Sequence, residues 1–156
     1  MSTSPSISAR HPLRGAWPAI LIGGLVAGGL DTISAYVSLN AGWPRAVAGG
    51  LLGMSAFKGG PGVYGLGLFL EFFIATGAAA VYYAFSRRLE FLKPHFFVCG
   101  LFFGIAVYLV MNLIVLPLSA LHVHSPISRS DLIQGILVHM FLIGLPIAYS
   151  VRRFSR

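Results

Sequence analysis

The sequence predicts an all-α integral membrane protein, a four-helix bundle with a short apolar interfacial or re-entrant segment after its first span. Three observations predict it. Apolar residues make up 56% of the 156-residue chain and charged residues only 10%, far from the mix of a water-facing domain. Four apolar segments are each long enough, at about 1.5 Å of helical rise per residue, to cross roughly 30 Å of hydrocarbon. The basic residues also gather in alternate connections, as a multi-pass topology requires. Short connections leave no linker that could separate two halves, so residues 1–156 form a single transmembrane domain.

Residues 1–15 carry Ser and Arg without periodicity and form a poorly ordered tail. The first span, residues 18–36, reads PAILIGGLVAGGLDTISAY. Pro18 suits a first helical turn, and Trp17 and Trp43 bracket the span as interfacial anchors. Gly24 and Gly28 give it a small-residue face that lets another helix approach closely. Asp31 continues that face by one turn. The apolar stretch runs into Asp31 without a small-x-small cleavage site, which favours a retained span over a signal peptide.

Between the first two spans, residues 46–57 (AVAGGLLGMSAF) are apolar but too short to cross. Lys58 and the breaker Gly-Gly-Pro-Gly close the segment. The second span, residues 64–86, steps by four through Gly67, Glu71, Ala75 and Ala79. The third, residues 95–118, steps by four through Gly100, Gly104, Tyr108 and Asn112. The fourth, residues 131–151, places Gly135 and His139 one turn apart. Ser130 or Asp131 is its expected N-cap, and Pro146 is its expected bend. A small-residue face left unpaired within one chain is a candidate homo-oligomer contact.

The net charge of +7 would suggest nucleic acid in a soluble protein, but position overrides the sum. Arg10, Arg14, Arg87, Arg88, Lys93, Arg152, Arg153 and Arg156 lie at the termini and the central connection. Only Arg45, Lys58 and Arg129 lie in the other two. The positive-inside rule therefore puts both termini and the Arg87–Lys93 loop in the cytoplasm. The expected partners are the lipid bilayer and anionic headgroups at the cytoplasmic face, with no nucleic acid. The lone Cys99 forms no intramolecular disulfide.

That topology puts Asp31, Glu71, Asn112 and His139 at one level, about 7–12 Å below the outer surface. Ionisable groups at such depth cost about 2.5–3.5 kcal/mol each and turn to a bundle interior or to water. The main expectation is a structural clasp in which the four side chains hydrogen-bond one another. The alternative is a proton or cation transporter or channel using Asp31, Glu71 and His139. A narrower alternative is divalent-metal binding through His122, His124, His139 and Glu71.

No catalytic constellation or cofactor is called for. Gly53-Met54-Ser55-Ala56 is similar to the serine motif of rhomboid-type proteases, with His139 as the imagined base, but it lies in a segment too short to be a span. The segments GGLVAGGLD, GLGLFLEFFIA, VMNLIVLPLSAL and LVHMFLIGLPIA together resemble small, uncharacterised bacterial inner-membrane proteins, loosely YagU-like. The resemblance implies a four-span inner-membrane protein and assigns no chemistry.

Overall fold

A computed structural model describes residues 15–122 and 128–154. The expected tail, apart from Gly15, lies outside the described residues, as does His124. Every regular element among the described residues is helical. Helix α1 spans Ala16–Leu39, α2 Trp43–Leu52 and α3 Pro61–Arg88. Helix α4 spans Phe96–Leu118 and α5 Arg129–Phe154. Helices α1, α3, α4 and α5 are the membrane spans, and exposed large apolar side chains such as Phe69, Phe102 and Leu113 surround them. That surface suits lipid rather than water.

The spans run longer than the hydropathy pattern suggests, for local reasons. Pro61 is seated in the first turn of α3, where its missing N–H costs nothing, so only Gly59 and Gly60 of the glycine-rich breaker stay outside the helix. Helix α5 begins at Arg129 because Ser128 is its N-cap, accepting a 3.2 Å hydrogen bond from the Asp131 amide. Ser130 and Asp131, the expected caps, instead occupy its first turn.

The short segment after α1 forms α2 and a following 3-10 turn, Gly53–Lys58. Gly53 links them at φ +65°, a left-handed conformation that costs glycine little. Pro44 packs its carbonyl against Gly67 of α3, about 9 Å along that helix from Pro61. The start of α2 is thus set into the bundle. Its far half is tied to the end of α4, where the Ala120 amide donates to the Gly50 carbonyl at 2.8 Å. Trp43 is consequently 2% exposed, whereas Trp17 is 66% exposed. The expected interfacial anchor at Trp43 is instead a buried wall residue, because the 3-10 turn Asn40–Gly42 folds the chain back under α2.

Helix α1 lies between α3 and α5. On one side Gly24 faces Thr76, and Gly28 faces Phe72 and Ala75. On the other, Gly23 faces Ser150, whose hydroxyl donates to the Ala19 carbonyl at 2.9 Å. Helices α4 and α5 interlock through glycine: Gly144 meets the Gly100 carbonyl, and Gly104 meets the backbone of His139 and Met140. The α3 and α4 backbones approach each other closely at few points. They meet through the Tyr82 and Phe103 rings, edge-on at 4.9 Å. The apolar core, including Ala19, Tyr82, Leu92, Ile147 and Val151, fills the half of the bundle where α3 ends and α4 begins. Toward α2, the same space between α3 and α4 opens.

Two turns in the spans are wide. Met111–Val115 in α4 and His139–Gly144 in α5 are π-helical, and a proline follows each, Pro117 and Pro146. A proline removes one helical N–H and crowds the carbonyl four residues earlier, so the preceding turn widens.

Candidate functional site: a polar cavity between the spans

The gap between α3 and α4 is a cavity of about 440 Å³. Helix α2 forms one wall with Trp43, Ala46, Val47, Gly50 and Leu51, whose spacing marks a single helical face. Helix α3 contributes Leu70, Glu71, Ile74 and Ala78, and α4 contributes Val107, Met111 and Val115. Asp31 and Ala35 of α1 and His139 and Ile143 of α5 complete it. The wall is apolar except at Asp31, Glu71 and His139.

Packing explains why the two acids meet. Gly28 rests on Phe72 and Ala75, so the α1 and α3 backbones are close one turn from Asp31 and beside Glu71. The two side chains line the same cavity, near enough to interact with each other. Carboxylates only accept, so a hydrogen bond between these groups requires that one of them carry a proton. Both residues are half-buried.

His139 is oriented by its own helix. Its Nδ1 lies 2.9 Å from the Gly135 carbonyl, and a carbonyl can only accept. Nδ1 therefore carries a proton. The Tyr108 ring meets the imidazole edge-on at 5.2 Å, and Tyr108 is itself held against Gly135. The side chain is fixed from two directions.

Asn112 is not brought to the cavity. Its Nδ2 donates to the Tyr108 carbonyl of the preceding turn at 2.9 Å, while Met111 and Val115 line the wall. The physical reason is that the stripe of Gly100, Gly104 and Tyr108 faces α5, while the cavity is lined by the neighbouring stripe of Val107, Met111 and Val115.

Of the metal candidates, His139 and Glu71 share the cavity, and His122 lies apart on an exposed turn beside the Ala120 carbonyl. Among the described residues, no group of three His, Cys, Asp or Glu side chains is close enough to hold an ion. The Ser55 hydroxyl donates to the Leu52 carbonyl at 2.7 Å within its own turn. It does not line the cavity that holds His139.

Sequence reasoning missed Trp43, Val47 and Met111 as wall residues, and the Ser150–Ala19 link between spans. The helical spacing of residues 43, 46, 47, 50 and 51 was a usable signal for the α2 wall, and Pro117 and Pro146 were signals for the wide turns. No protein-family model, curated protein or solved structure matches this chain.

Proposed function

We propose that this multi-pass membrane protein exchanges a proton or a cation at the Asp31–Glu71 pair, with His139 as the third polar group of the same cavity. One observation carries the reading: three spans direct their ionisable residues at a single, otherwise apolar cavity. Intramembrane ionisable groups are costly and mark pathways or sites when they face an interior space. A purely structural clasp would satisfy its polar groups across helices. Here His139 and Asn112 bond to carbonyls of their own helices instead.

The clasp is retained as a second reading because Asp31 of α1 and Glu71 of α3 lie near each other, where a hydrogen bond between them would link the two spans. Such links contribute about 0.6 kcal/mol on average in membranes. The distribution of basic residues supports a bacterial inner-membrane location with cytoplasmic termini, which places the cavity in the outer half. At the cytoplasmic end, the Arg152 guanidinium lies 4.4 Å from the Phe96 ring centre. That position near the surface suits contact with anionic headgroups.

The test is flux in proteoliposomes under an imposed pH gradient. Wild-type protein is expected to dissipate the gradient faster than empty vesicles, and Glu71→Gln to return to the empty-vesicle rate. Empty-vesicle rates for both proteins would reject transport. In that case a loss of thermal stability in Glu71→Gln would identify the clasp.

A further inference from the structure

We infer that the ligand of the cavity is a lipophilic organic cation, an amine or quaternary ammonium group on an apolar body. This inference rests on the reading of Asp31 and Glu71 as a cation-exchanging pair. The volume, about 440 Å³, falls within the roughly 300–1,000 Å³ of small organic ligand sites. Hard cations such as calcium and magnesium prefer six or more oxygen ligands, which two carboxyl groups in an apolar wall match poorly. Among the described residues no group of three His, Cys, Asp or Glu side chains could hold a transition metal. The two carboxyl groups match one positive centre on an apolar molecule. Val47, Ile74 and Met111 offer contact area for the body.

The rim supports the same ligand class. Leu39, Leu51, Phe73 and Val115 line the cavity and are also exposed, so its mouth is edged by apolar side chains. A hydrated inorganic ion gains nothing from such a rim. An amphipathic cation that partitions into the bilayer can pass it while keeping apolar contact throughout.

The experiment uses the full chain in detergent micelles with Trp17→Phe. Because the sequence has two tryptophans, Trp43 then reports alone by fluorescence. Tetrabutylammonium is titrated against tetramethylammonium, potassium and a neutral tertiary amide of similar size. Saturable binding of tetrabutylammonium is expected, with the smaller cations and the amide roughly tenfold weaker or more. Glu71→Gln, checked for retained helicity by circular dichroism, should weaken binding by roughly tenfold or more. Asp31→Asn is the second variant if Glu71→Gln fails to fold.

Equal binding of the amide, or binding unchanged by either variant, would overturn the inference. Proton flux is measured on the same proteins reconstituted into proteoliposomes. Flux without saturable tetrabutylammonium binding would overturn the organic-cation assignment and leave proton exchange standing. Saturable, variant-sensitive binding without flux would support the ligand and remove transport.

Discussion

Gly67 shows how much of this bundle depends on the absence of a single carbon. A Cβ there would collide with the Pro44 carbonyl, which is backbone and cannot swing aside. A Cβ at Gly77 of the same helix would meet nothing within 4 Å. Gly67→Ala is therefore expected to cost about 1–3 kcal/mol through overpacking, while Gly77→Ala should stay within about 0.5 kcal/mol of wild type. Thermal unfolding in detergent, followed by helical circular dichroism, measures both. Equal midpoints would show that α2 yields freely and is not held by α3. At this scale much was legible in the sequence, because steps of four place Gly24 with Gly28 and Gly100 with Gly104 on single faces. Gly144 was not, since its neighbour is the Gly100 carbonyl of another helix and nothing local announces it. Asn112 continues the stripe of Gly104 and Tyr108, but that stripe meets α5 rather than the cavity, and spacing alone does not say which neighbour a stripe meets.

The wide turns are the elements that aim the cavity's residues. Each π turn inserts its extra residue just before a proline, and the second begins at His139 itself. Replacing Pro146 with alanine restores a donor and removes the ring that crowds the preceding turn. The turn is expected to close toward regular α-helix, and a one-residue change of register rotates a side chain by about 100°. His139 would then leave the cavity. Backbone hydrogen exchange across residues 139–146 should slow, and flux should fall toward that of Glu71→Gln. Unchanged exchange in Pro146→Ala would mean that interhelical packing around Gly104 and Gly144 sets the turn, with proline a bystander. Hydropathy and spacing specify where these helices cross, but a one-residue bulge leaves both nearly unaltered, which is why the wide turn at Met111 escaped the sequence.

Across the whole molecule, charge and packing divide the bundle into the same two ends. Arg87, Arg88, Lys93, Arg152 and Arg153 lie where α3 ends, α4 begins and α5 ends, beside the filled apolar core. Arg45, Lys58 and Arg129 lie at the other end, where the cavity opens. Four spans return the chain to the side where it started, so one orientation decides which compartment the cavity faces. Basic residues in short connections resist translocation, and the richer end is therefore expected in the cytoplasm. A reporter active only in the cytoplasm, fused after Phe154, should be active, and the same reporter inserted at Lys58 should be silent. A periplasmic reporter should give the opposite pattern. If the fusion after Phe154 proved external, the cavity would face the cytoplasm, and the imposed pH gradient in the flux assay would have to be reversed to drive the same exchange. Replacing Arg10, Arg14, Arg87, Arg88 and Lys93 with alanine should weaken the bias and yield both orientations, because three basic residues then remain at each end. A wholly unchanged pattern in that variant would assign the orientation to the glycine-locked packing of α4 on α5 instead of to charge.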